Sequence, residues 1–140
     1  GYKVPYAYLL SKGIDVKVVF GGNQNAAFAQ MFAGKVKAVG SNSQLIEGYE
    51  RREKKAFRVL WSSDGYHDLA LMASSKVPEK DIKAVAAAFN GMVSDPKGRD
   101  IMHQASLGAG LTEDAYFIPA TTADYASYRK FYQTAPASLR

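Results

Sequence analysis

The chain has 140 residues, of which 47% are hydrophobic and 22% charged, with a formal net charge of +5 and no cysteine. This composition is typical of a globular domain and not of a disordered chain, and no apolar run approaches the roughly 20 residues that span a bilayer. The absence of cysteine excludes disulfides, thiolate metal sites and cysteine nucleophiles.

Predicted helices and short strands alternate along the first half of the chain. Apolar spacing predicts helices at 4–11, 26–33 and 43–55, and β-branched runs predict strands at 16–20, 36–39 and 57–61. Gly13 and Gly34 are the predicted ends of the first two helices, and Asn25 is the predicted N-cap of the second. This alternation indicates an α/β fold with a parallel or mixed sheet.

The second half has fewer strands than a sheet needs. We predict one strand at 69–73, helices at 78–94 and 99–105 separated by a break at 95–98, and a last helix at 124–133. A single strand cannot form a sheet, so we expect its partner strands to come from elsewhere.

The positive charge is concentrated in residues 1–65, which hold ten Lys/Arg against five Asp/Glu. The densest cluster is the segment 51–55, Arg-Arg-Glu-Lys-Lys, at the end of a predicted helix. We interpret it as a solvated helix end, because the helix dipole favours cations there. A basic nucleic-acid-binding domain remains a weaker alternative.

Three loops follow the predicted strands of the first half, and all are rich in hydrogen-bonding side chains. They lie at 21–25, 40–44 and 62–68, and they contain mainly Asn, Gln, Ser, Asp, Tyr and Gly. In open α/β sheets, ligands bind at the carboxyl ends of the strands. We therefore expect these loops to hold a small polar solute.

Catalytic and metal-binding patterns are not found in the sequence. There is no Gly-x-Ser-x-Gly elbow, and the glycines of 21–22 lack the third glycine of a dinucleotide motif. His67 and His103 lie 36 positions apart with no third ligand nearby, which argues against a zinc site. We predict neither an enzyme nor a bound cofactor or metal.

Six segments occur in an order that points to one family. They are Gly1-Tyr2…Pro5, Val18-Val19-Phe20-Gly21-Gly22, Gly34-Lys35-Val36-Lys37-Ala38 with Asn42-Ser43, Leu60-Trp61-Ser62-Ser63…Tyr66-His67-Asp68, Asp95-Pro96-Lys97-Gly98-Arg99, and Phe117-Ile118-Pro119-Ala120…Asp124-Tyr125. In this order and spacing they resemble the substrate-binding proteins of phosphonate-, phosphite- and phosphate-type ABC transporters. The resemblance covers nearly the whole chain.

The resemblance implies an α/β fold of the type II periplasmic-binding-protein-like class, with two lobes that clamp a ligand between them. By this resemblance residues 1–63 form the second, inserted lobe, residues 64–68 a hinge crossing, and residues 69–140 the C-terminal part of the first lobe. Part of the first lobe is then expected to be missing from this chain, which agrees with the unpaired strand at 69–73.

The resemblance also implies a set of ligand-binding residues: Gly1, Tyr2, Gln24, Gln44, Tyr66 and Asp68. Gln24 falls where the family commonly has His, and Gln44 falls where an amine-binding member has Glu. A neutral Gln44 cannot pair with an ammonium group, so a small oxyanion or a differently decorated organic solute is favoured over an aminoalkylphosphonate. Lys37 departs from the family, which often has Asp at that position.

Each of these residues also has a purely structural interpretation. Gln24 and Gln44 are placed to cap helices, Tyr66 to pack in a hinge, and Asp68 to accept a hydrogen bond at the crossing. The tyrosines at 125, 128 and 132 share helical spacing and are interpreted as packing residues. Trp61 is interpreted as a core residue.

The implied function is that of the solute-binding component of an ABC importer, which captures a phosphonate, phosphite or phosphate-like oxyanion. Its implied partners are this ligand and a membrane permease, and no nucleic acid is expected. Its implied location is periplasmic or otherwise extracytoplasmic, with or without a lipid anchor. The alternative is a ligand-sensing domain of the same fold in a signalling or regulatory protein.

Overall fold

A computed structural model describes all 140 residues, and its regular secondary structure is entirely helical. The α-helices are α1 Lys3–Ser11, α2 Gln24–Phe32, α3 Ser43–Glu53, α4 Glu79–Gly91, α5 Pro96–Gly108 and α6 Ala126–Thr134. Short 3-10 helices follow at Thr122–Tyr125 and Ala137–Leu139. Every predicted helix is found, and none of them combines the length and apolarity that a membrane crossing requires.

Two helix starts differ from the prediction. The N-cap of α2 is Asn23 and not Asn25, because the Asn23 side chain accepts a hydrogen bond from the Ala26 N–H at 2.9 Å. The predicted break at 95–98 is the beginning of α5, where the Asp95 carboxylate accepts from the Gly98 N–H at 2.6 Å. Asp followed by Pro is a start signal for a helix as well as a breaker.

The four predicted strands at 16–20, 36–39, 57–61 and 69–73 are not formed in the structure, and the α/β assignment is therefore not confirmed by it. Their backbone groups pair with no other backbone segment. A β-branched run becomes a strand only when a neighbouring segment completes its ladder of hydrogen bonds. Most side chains of these runs are accordingly exposed, Leu69 by 93% and Phe20 by 73%.

The chain divides into two compact units. Unit 1 comprises Gly1–Gly65 and Tyr128–Arg140, and unit 2 comprises Tyr66–Ser127. The boundary between residues 65 and 66 falls inside the segment for which a crossing was predicted. The C-terminal helix α6 belongs almost wholly to unit 1.

An aromatic cluster forms the core of unit 1. Phe28 of α2 is completely buried, and its ring centroid lies 4.9 Å from that of Tyr49 in α3 and 5.0 Å from that of Phe57. The Glu50 carboxylate accepts a hydrogen bond from the Phe57 N–H at 2.6 Å, which holds the chain after α3 against the cluster. Burial of these rings holds α2 against α3.

In unit 2, the segment after α5 folds back onto that helix. The buried Ser106 hydroxyl donates to the Met102 carbonyl and accepts from the Ala115 N–H at 2.9 Å. One turn earlier, His103 Nδ1 lies 2.8 Å from Asp114 Oδ1. These bonds hold the otherwise irregular residues 109–117 along α5.

Candidate functional site

The start of α1 and the loop that precedes α3 approach each other closely in unit 1. A Cβ placed on Gly1 would lie 2.6 Å from the Gly40 carbonyl oxygen and 3.3 Å from Gln24 Nε2. A Cβ placed on Gly40 would collide with the Gly1 carbonyl oxygen and lie 3.1 Å from Pro5 Cγ. The two backbones can meet in this way only because neither residue has a side chain.

A hydrogen bond between side chains joins the same loop to α2. The Ser41 hydroxyl donates to Gln24 Oε1, and both residues are half-buried. Gln24 is the first residue of α2, and α3 begins two residues after Ser41. The amino-terminal ends of α1, α2 and α3 are thus brought to one region of unit 1.

Several helix-starting N–H groups in this region have no hydrogen-bond partner within the chain. They belong to Lys3 and Val4 of α1, to Gln24 and Asn25 of α2, and to Ser43, Gln44 and Leu45 of α3. Neither α1 nor α3 has a side-chain cap. Unpaired N–H groups at the positive end of a helix dipole are a common binding site for anions.

A groove of about 840 Å³ runs beside this region, lined by α1, the start of α2 and the segments 16–22 and 35–40. Its lining contains no Asp or Glu and includes Lys17, Lys35 and Lys37, none of which forms an ion pair. Tyr6 also lines the groove, and its hydroxyl donates to Asp15 Oδ1 at 2.9 Å, which raises the pKa of this phenol. The charged side chains of the groove are thus all cationic, on a lining that is otherwise mostly apolar.

Three of the predicted ligand residues lie together and three lie elsewhere. Gly1, Tyr2 and Gln24 line the groove. Gln44 is exposed in the first turn of α3 and does not line it. Tyr66 and Asp68 belong to unit 2, where the Asp68 carboxylate accepts from the Leu69 N–H at 2.7 Å and the Asp68 carbonyl accepts from the Tyr125 hydroxyl at 3.0 Å.

The structure adds two residues that sequence reasoning did not single out, Gly40 and Ser41. Both lie in the loop predicted at 40–44, so its position after a predicted strand was the available signal. Their roles depend on contacts with Gly1 and Gln24, which are 39 and 17 positions away. No local pattern records such contacts.

The structural interpretations of other residues have mixed outcomes. Gln24 does not cap α2, since Asn23 does so and the Gln24 side chain bonds Ser41. The segment 51–55 is exposed at the end of α3, as expected for a solvated helix end. Trp61 is half-buried and stacks on Tyr8, with ring centroids 4.2 Å apart. Tyr132, one of the three tyrosines with helical spacing, contacts Lys3.

The helix starts of unit 1 therefore lie beside a groove that carries three lysines and no carboxylate. A sequence model of the family described as "ABC transporter, phosphonate, periplasmic substrate-binding protein" matches residues 1–125. The chain belongs to this family of phosphonate-type periplasmic substrate-binding proteins. Comparison with curated proteins and with solved structures gave no match.

Membership confirms the resemblance that the ordered segments predicted. The family is a substrate-binding component of ABC transporters, so it works with a membrane permease, binds a small ligand and is located outside the cytoplasm. It is a family of transport components and not of enzymes. Its fold class is that of periplasmic binding proteins.

Proposed function

We propose that the chain captures a small oxyanion, a phosphite, phosphate or short alkylphosphonate, for delivery to the permease of an ABC importer. The observation that carries this proposal is the meeting of the amino-terminal ends of α1, α2 and α3 at Gly1, Gln24 and Ser41. Because the ionised oxygens of an oxyanion accept hydrogen bonds, a region of unpaired N–H donors without a carboxylate fits them well.

The neutral side chain of Gln44 supports an anion without an ammonium group. Gln44 is exposed at the start of α3 and has no bond to any other side chain, so it can turn towards a ligand at the helix ends. An amide cannot neutralise an ammonium group in the way that a carboxylate can. We therefore expect methylphosphonate to bind better than 2-aminoethylphosphonate.

Tyr66 and Asp68 complete the proposed ligand set on the strength of the family resemblance. Asp68 already accepts from its neighbour's N–H through Oδ1, which leaves Oδ2 to accept from a protonated ligand oxygen. Such an acceptor would favour a monoprotonated oxyanion over the fully ionised form.

The proposed lobes are residues 1–63 as the second lobe, 64–68 as a crossing and 69–140 as the C-terminal part of the first lobe. The exposure of Leu69, Leu71 and Met72 by 93%, 61% and 85% supports this, since a sheet strand needs partners that cover such side chains. We expect amide hydrogen exchange at 69–73 to be fast in this chain and to slow when the rest of the lobe is supplied.

Isothermal titration calorimetry of the chain with phosphite, phosphate, methylphosphonate and 2-aminoethylphosphonate tests the binding function. Trp61 is the only tryptophan and lies in unit 1, so its fluorescence gives an independent signal. The proposal expects saturable binding of the first three anions and weaker binding of the fourth. Absence of any binding at millimolar concentration would contradict it.

A further inference from the structure

We propose that Ser41 is a positioning residue that fixes the amide of Gln24 so that its NH2 group, and not its oxygen, is offered to the ligand. This inference rests on the proposed function, since it deepens the description of the same anion site. It concerns specificity for hydrogen-bond acceptors. Ser41 itself needs no contact with the ligand.

The hydrogen bond between the two side chains sets the orientation. The Ser41 hydroxyl donates to Gln24 Oε1, so the amide oxygen is turned towards Ser41. Gln24 Nε2 lies on the other side, 3.3 Å from the position that a Cβ on Gly1 would take. The NH2 group therefore points towards the start of α1, where backbone N–H groups are also unpaired.

An unrestrained glutamine amide is ambiguous as a recognition group. Its two ends differ in hydrogen bonding but hardly in shape, so it can turn either a donor or an acceptor to a ligand. A hydroxyl has only one proton to donate. The Ser41 hydroxyl oxygen lies 3.2 Å from a second acceptor, the Asn42 carbonyl oxygen. When Ser41 donates to Gln24 instead, the donor end of the amide is selected for the ligand.

The expected effect follows from the value of one neutral hydrogen bond. Losing the Ser41 donor lets the amide rotate and should weaken oxyanion affinity about three- to tenfold. Replacing the NH2 group of Gln24 with a charged oxygen should have a far larger effect, about 100-fold or more, because it places a like charge against the ligand.

The experiment measures phosphite binding by calorimetry for wild type, Ser41→Ala, Ser41→Thr, Gln24→Glu, Gln24→Ala and the double variant Ser41→Ala/Gln24→Ala. Ser41→Thr keeps the hydroxyl and should retain near wild-type affinity. Gln24→Glu keeps the acceptor for Ser41 and should weaken binding about 100-fold or more. In the Gln24→Ala background, Ser41→Ala should cause no further loss, because the role of Ser41 acts through Gln24.

Two results would overturn the inference. One is an equal loss from Ser41→Ala with and without Gln24, which would show that Ser41 acts independently. The other is wild-type phosphite affinity in Gln24→Glu, which would show that the ligand needs no donor at this position.

A measurement without ligand separates the inference from the proposed function. The side-chain NH2 signals of Gln24, assigned by their disappearance in Gln24→Ala, should shift in ¹H–¹⁵N spectra of Ser41→Ala and stay near their wild-type positions in Ser41→Thr. If the shift is seen but wild type binds no oxyanion, the proposed function fails while the Ser41–Gln24 pair stands. If Ser41→Ala leaves these signals unchanged, the inference is wrong whatever the chain binds.

Discussion

Replacing Gly40 with alanine should separate the start of α1 from the loop before α3. The new Cβ would lie 3.1 Å from Pro5 Cγ and would overlap the Gly1 carbonyl oxygen. Because a backbone oxygen cannot turn aside as a flexible side chain can, one backbone must move by close to an ångström. Overpacking of this kind costs about 1–3 kcal/mol.

This cost should be measurable both as a lower Tm and as a weaker affinity for phosphite. At about 3 °C per kcal/mol for a chain of this size, Gly40→Ala should lower the Tm by roughly 3–9 °C. If the shift also removes one charge-assisted hydrogen bond to the anion, affinity falls by about 1.5 kcal/mol or more, at least about tenfold. Differential scanning calorimetry and phosphite titration measure the two effects.

Gly91→Ala is the matched control, because a Cβ at Gly91 meets nothing within 4 Å and the residue ends α4 with an ordinary helical backbone. Its Tm should be unchanged or slightly raised, since alanine favours the helix. A Gly40→Ala variant with the Tm and the phosphite affinity of wild type would refute the reasoning.

Three further predictions concern packing and pH. Phe28→Ala, at a completely buried side chain, should lower the unfolding free energy measured by urea denaturation by about 3–5 kcal/mol. The control Phe20→Ala, at a side chain that is 73% exposed, should lower it by less than about 1 kcal/mol, and equal losses would contradict the assigned core. Gly98→Ala should also destabilise by about 1–3 kcal/mol, because its Cβ would lie 2.6 Å from Met92 Cα; an unchanged Tm would argue against that close approach. Asp124 accepts hydrogen bonds from the Thr121 N–H and hydroxyl, which lower the pKa of its carboxyl below the ordinary 3.8. Its contribution to stability is therefore fully present above the ordinary pKa of 3.8 and is lost as the pH falls through the lowered pKa, so the difference in Tm between wild type and Asp124→Ala should be present at pH 7 and shrink progressively as the pH falls below 3.8.

The helices could be located from the sequence because their signals lie within a few residues of each other. Gly13 and Gly34 end α1 and α2 with φ of 70° and 73°, a conformation that glycine adopts at little cost. Even the errors were local, since the cap of α2 lies two residues before the predicted one and α5 begins at the predicted break.

The strand predictions and the site depended on more distant contacts. A run such as 16–20 has the composition of a strand, but its hydrogen-bond partners must come from another part of a polypeptide, and the structure pairs it with none. Gln24 was named as a candidate through the family resemblance, and the loop that contains it follows such a run. Its partner Ser41 was not found.

The sequence by itself determined the helical segments, the excess of positive charge in residues 1–65 and, through the order of its motifs, the family. Tertiary structure decided that Gly1 meets Gly40 and that Ser41 bonds Gln24, and with these contacts which end of the Gln24 amide is left for a ligand. Helix signals act between residues a few positions apart, whereas these contacts join residues 39 and 17 positions apart, which only tertiary packing within unit 1 brings together.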